Sequence, residues 1–245
     1  MNSSIKLKPM PIWVSLFFFG LAAIVLYLAT RYIIPFLIRI TDIHPASSWF
    51  IVGGTVVFVP LFIAAIVASR QEGAKTFSTI RKRLRLKLMN RGDWLWTLVG
   101  FIVIGVTVGL IMSVGEWATK VGLISNFNIS PSFLDFEPFG TSQPWMFMIW
   151  LPMFFFNIMG EELLWHGYIL PRQELAHGKY AWIVNCALWT VFHIPFGWSL
   201  ILMTIPTLMI IPYIVQKRAN TWIGVILHAS INGPGFVAVS LGLVQ

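Results

Sequence analysis

Long uncharged stretches, each closed by a short polar segment, set the pattern of this chain. Residues 12–30, 49–69, 94–115 and 221–245 contain no Asp, Glu, Lys or Arg. A helix needs about 20 mostly apolar residues to cross the hydrocarbon core of a bilayer, so each stretch predicts one spanning helix. A further uncharged run precedes two glutamates and makes a span over 144–166. The apolar block 180–216 is too long for one crossing, and "IPFGWS" (194–199) offers a turn that divides it in two. The period-2 alternation of a membrane β-barrel is missing. The pattern therefore predicts an all-α, polytopic transmembrane helical bundle of about seven spans, or six if the first is only a weakly inserted anchor. That first run is too long for the apolar part of a signal peptide and lacks a small-x-small cleavage site, so it is expected to stay on the chain.

Composition agrees: of 245 residues, 57% are hydrophobic and 11% charged, about half the charged share of a soluble domain. The net charge of +8 raises nucleic acid as a partner, but its placement points to the membrane instead. Eight of the 17 Lys and Arg fall within 70–91. With the N-terminus in the cytoplasm, seven spans put 14 basic residues inside and leave only Arg31, Arg39 and Lys120 outside, as the positive-inside rule requires. The basic stretch either sets this topology or also meets anionic headgroups as an amphipathic surface helix. Expected localisation is a cell membrane, multi-pass, with no nucleic acid bound. The single cysteine, Cys186, permits no intramolecular disulfide.

Two parts of one membrane domain are distinguishable. Residues 1–143 hold N-terminal spans, the basic cytoplasmic loop 70–93 and an aromatic outside loop 116–143, which includes the weak glycosylation sequon Asn128-Ile129-Ser130. Residues 144–245 hold every ionisable side chain expected inside a span. Glu161 and Glu162 end the fourth span, His193 ends "WTVFH" in the fifth, and "HASIN" puts His228 and Asn232 four residues apart on one face of the seventh. A charge at the middle of a membrane helix costs about 2.5–3.5 kcal/mol on insertion scales, and such residues face the bundle interior or a wet cavity. One shared polar chamber is the expectation. Pro195 should leave the Val191 carbonyl unbonded, Gly233-Pro234-Gly235 should kink or break the last span, and Pro206 and Pro212 should make the sixth irregular.

A partly dehydrated carboxylate beside an imidazole activates water, and a second imidazole with an amide can bind an oxyanion. Glu161, His193, His228 and Asn232 thus hold the parts for amide hydrolysis without a protein nucleophile. A Ser-His-Asp site is the weaker reading, since Ser230 faces away and the spans hold no Asp. HExxH is absent, but Glu161, His193 and His228 are also enough to hold Zn2+ with an open position.

Taken in order, "EELLWHG", "YILPRQE", "WTVFH" and "HASIN" resemble the motifs EExxxR, FxxxH and HxxxN of the CAAX protease and bacteriocin-processing (CPBP, or Abi) family of intramembrane endopeptidases, here CAAX prenyl protease type II-like. The resemblance covers roughly 140–240. It implies a helical bundle with a cavity open to the cytoplasm, in which Glu161 and His193 activate water, His228 and Asn232 stabilise the oxyanion, and Glu162 is a supporting carboxylate. Implied partners are a peptide or membrane-anchored protein substrate and the lipid bilayer. No cofactor is required on the glutamate mechanism, with Zn2+ the alternative. Trp189 is read as packing that supports the site. Where the motif has arginine the chain has His166, four residues after Glu162, which pairs with a carboxylate only when protonated; Arg172 either substitutes for it or marks the cytoplasmic end. Two other functions use the same cavity: a non-catalytic bacteriocin-immunity or scaffold protein and, without visible inverted repeats, a small transporter.

Overall fold

The computed structural model describes residues 7–125, 127 and 145–240, and among these it is helical with no strand. In chain order the helices are α1 (Ile12–Thr41), α2 (Pro45–Gln71), the short α3 (Phe77–Arg83), α4 (Arg91–Lys120), α5 (146–177), α6 (Ala181–His193), α7 (Trp198–Arg218) and α8 (Thr221–Ser240). Five helical stretches are long and apolar enough to cross a membrane: α1, α2, α4, the run Met146–Phe196 and α7. The protein is a polytopic, multi-pass helical membrane protein. Within the run Met146–Phe196 the chain turns at Gly178, whose φ of +58° suits glycine, and this turn separates α5 from α6. The Asn128 sequon and most of the aromatic outside loop lie outside the described residues; Glu116–Lys120 of that loop belong to α4.

Several elements differ from the sequence expectation. α1 does not stop at residue 30 but continues through a π-helical segment, Ala29–Ile33, to Thr41, carrying exposed Arg31 and Arg39 beyond the apolar run. The basic stretch contributes only the seven-residue α3, started by a Thr76–Thr79 capping box. The Val191 carbonyl is not orphaned: the chain tightens into a 3₁₀ turn at Ile194–Phe196, and the Ile194 N–H reaches back to it. α7 runs unbroken through Pro206 and Pro212, and α8 through Pro234. Packing supplies the reason, because α7 lies against both α4 and α6, and α8 against α4, α7 and α5; such neighbours hold a helix across a missing hydrogen bond.

Close approach between α5 and its neighbours depends on two glycines. A Cβ on Gly160 would come within 2.6 Å of the Phe58 carbonyl oxygen in α2, and one on Gly224 would overlap Glu162 Oε2. At one end of the bundle the polar segments are laced together. The Met10 N–H bonds the Arg172 carbonyl at 2.9 Å, and Thr221 Oγ1 donates to the Leu84 carbonyl at 2.7 Å. Arg85 forks onto Glu174 at 2.6 and 2.7 Å, and Arg218 reaches Asp93 at 2.8 Å. The N-terminus, the basic loop, the end of α5 and the α7–α8 turn therefore share one face of the protein.

Candidate active site

α5 is not a plain α-helix where the glutamates stand. It passes from Met146–Glu161 into a π-helical segment, Glu162–Ile169, and back to an α-helix at Leu170–His177. Widening to i→i+5 bonds is frequent at functional sites. Here the segment is buried along its whole length, and it leaves carbonyls for outside donors: Arg83 donates through Nη1 to the Gly167 carbonyl at 3.3 Å and through Nη2 to that of Tyr168 at 3.4 Å.

The two glutamates point into different surroundings. Glu161 accepts from Asn157 Nδ2 at 2.8 Å and from the indole Nε1 of Trp189 at 2.6 Å. Fully buried Glu162 meets His166 Nδ1 at 2.6 Å through one oxygen and His228 Nδ1 at 2.9 Å through the other. An ionised carboxylate only accepts, so both histidines place their Nδ1–H on it. His193 Nδ1 lies 2.9 Å from the Trp189 carbonyl and is likewise the donor. Among the described residues the Nε2 atoms of these three histidines make no hydrogen bond, and His166 Nε2 is the one sealed from solvent.

Trp189 is the hub. Its ring stands edge-on to His166, His193 and His228 at centroid distances of 4.8, 5.7 and 5.5 Å, while its N–H holds Glu161. Side chains from α5, α6 and α8 thus meet about one indole. Residues 143–233, which contain all of them, match the family model for a type II CAAX prenyl endopeptidase, Rce1-like. This stretch is therefore similar to a CAAX protease domain. No curated protein and no solved structure matches the chain significantly.

Within the matched stretch, two residues singled out from the sequence sit apart from the hub. Asn232 lies one turn beyond His228 at an exposed position and makes no hydrogen bond among the described residues. Arg172 does not reach Glu162; it contacts the Tyr168 hydroxyl at 2.6 Å, Glu72 at 3.1 Å and the Lys8 carbonyl at 3.0 Å, which ties it to the basic end. His166 makes the contact with Glu162 that the motif arginine was expected to make.

The outward-turned Nδ1 atoms of His193 and His228 also match the way metal-bound histidines are oriented. The third ligand is what does not fit. Each oxygen of Glu161 already accepts one hydrogen bond, from Asn157 or Trp189, and among the described residues no three His, Cys, Asp or Glu side chains come together as a ligand set.

Asn157, Arg83 and Gly224 escaped the sequence reading. Asn157 was open to discovery, since it stands one helical turn before Glu161. Arg83 looks like seven other cations of the basic stretch, and Gly224 like any helix glycine; only their neighbours distinguish them.

Proposed function

We propose that the chain is an intramembrane endopeptidase that cuts a peptide bond in a peptide or membrane-tethered substrate, with water as the nucleophile. The observation that carries this reading is the meeting of Glu161, His193 and His228 around Trp189, from three helices and three separate motifs. Glu161 lies within electrostatic reach of both histidines. A water between Glu161 and His193 Nε2 gives its proton to the glutamate as its oxygen attacks the scissile carbonyl carbon. The carbonyl π electrons move onto oxygen. His228, protonated and steadied through Nδ1–H by Glu162, donates Nε2–H to that oxyanion, and Asn232 adds its amide from the chamber's exposed edge. The proton on Glu161 then passes to the leaving amine as the C–N bond breaks. General-base and oxyanion assistance of this kind are each worth roughly 10²–10⁴ in rate.

In this reading the laced polar end is cytoplasmic, the membrane is the cell membrane, and no cofactor is needed. Five of the eight cations in 70–91, Arg70, Lys75, Lys82, Lys87 and Arg91, are exposed around the exposed apolar side chains Phe77 and Leu88. This composition suits anionic lipid headgroups.

The test is cleavage of a peptide library by purified, detergent-solubilised protein beside Glu161→Gln, with and without a zinc chelator. Cleavage lost in the variant and indifferent to the chelator is the expected result. Loss with chelator, restored by zinc, would replace the metal-free mechanism. No cleavage by folded wild-type protein from mildly acid to mildly alkaline pH would favour the non-catalytic, partner-binding alternative.

A further inference from the structure

The Glu161 carboxylate is gripped on both oxygens by groups outside the general-base pair. Asn157, one turn earlier on α5, donates to Oε1 at 2.8 Å, and Trp189 of α6 donates to Oε2 at 2.6 Å. Both donors are neutral, so neither cancels the charge a base needs. A carboxylate has about four lone-pair sites, and one donor per oxygen leaves a site on each for a water proton. The two donors come from different helices, and Trp189 shares its helix with His193. The grip therefore fixes the base relative to its histidine as well as to its own backbone. Released from it, the carboxylate would be free to turn toward His228, the cation of the proposed mechanism, and would cease to be available to water.

We propose that Asn157 and Trp189 are positioning residues that hold Glu161 in its base geometry, and that the aromatic residue opening "WTVFH" acts here through its indole N–H. Phenylalanine, the residue named in the motif this segment resembles, can fill the same space but cannot donate. The proposal rests on the hydrolytic reading of the site.

Trp189→Phe keeps a flat ring against the three imidazoles and removes the donor. Asn157→Leu keeps the volume and removes the amide. Each should lower kcat roughly 10–100-fold, the worth of one hydrogen bond to a charged group, with KM changed less than about twofold. Asn157→Gln, which retains an amide donor, should recover most of the rate. A role in packing alone would instead lower rate and folded fraction together, with no rescue by Gln, and would overturn the proposal.

A second measurement does not depend on turnover. In protein labelled with ¹⁵N-tryptophan, one indole N–H resonance should lie far downfield, vanish in Trp189→Phe and move upfield in Glu161→Ala. If no indole resonance responds to Glu161→Ala, the grip does not exist and the proposal fails whatever the activity. If it responds but wild-type protein cleaves nothing, the grip stands and the hydrolytic reading is what falls.

Discussion

Two polar clusters on α5, one at residues 161–166 and one at residues 168–174, are built from different cations. In the interior, Glu161 and Glu162 are met by Asn157, Trp189, His166 and His228, groups that are neutral or can be made so. At the polar end, Glu72 is met by Arg83 and Arg172, with the Tyr168 hydroxyl against both Glu72 and Arg172, and Glu174 by Arg85. Arginine keeps its charge at any physiological pH and forks onto carboxylates and carbonyls, which makes it a fastener. Histidine gains and loses a proton near neutrality, which makes it a reagent. The same acidic residue type is thus anchored in one place and kept chemically available in the other. The join between the clusters is Arg83, whose guanidinium leaves the end cluster to bond the carbonyls of the π-helical segment that carries Glu162 and His166.

The largest effect should come from the interior. Glu161→Gln removes the proposed base while keeping the shape, and cleavage should fall at least about 100-fold; retention of more than a tenth of the wild-type rate would strip the interior cluster of its chemical role. Next is Arg83→Ala, which leaves Glu72 with Arg172 and Tyr168 alone and takes the outside donor from two carbonyls. Breaking a buried pair from one side costs about 3–5 kcal/mol, and a value near the lower end is expected because Glu72 is about a fifth exposed. Equilibrium unfolding in mixed micelles measures it, and a loss below about 1 kcal/mol would show that the fastener is ornamental.

His166→Arg sharpens the comparison by moving a permanent cation inward. Arginine stands at this position in the motif, and its fork on Glu162 should keep cleavage within roughly tenfold of wild type. A loss greater than about 100-fold in folded protein would show that the imidazole itself is needed at this position. Smallest is Arg85→Ala: its pair with Glu174 is about a fifth exposed on each side, and such pairs contribute about 1 kcal/mol or less. A thermal shift larger than that of Arg83→Ala would reverse the assignment of which end residue matters.

The residues legible from the sequence are those that are costly on their own account. Glu161, Glu162, His193 and His228 stand out because an ionisable group in an apolar helix needs a reason, and all four lie near the Trp189 hub. Less legible are residues whose meaning depends on a neighbour. Trp189 passed for packing because the sequence is full of tryptophan, and nothing local shows that its N–H faces a glutamate 28 positions away. Arg172 was a candidate for the Glu162 pair because it follows in sequence; the turns of α5 carry it to the opposite end of the segment, against Tyr168 and Glu72. The prolines misled in a consistent direction. Pro195, Pro206, Pro212 and Pro234 each remove a hydrogen bond, yet packing on neighbouring helices and a 3₁₀ turn absorbed the loss.

By itself the sequence determined that this is a membrane-spanning helical bundle and pointed to a cluster of costly polar groups in the last hundred residues, because apolar run length and the cost of burying charge are properties of the chain alone. Only the tertiary structure decided how those groups are paired. Glu161 went to neutral donors, Glu162 to two histidines and Arg83 to the carbonyls of a π-helix, and each pairing joins residues from different helices or depends on a local widening of one. Hydrogen bonds act over about 3 Å, so how each glutamate is paired depends on how closely the helices approach.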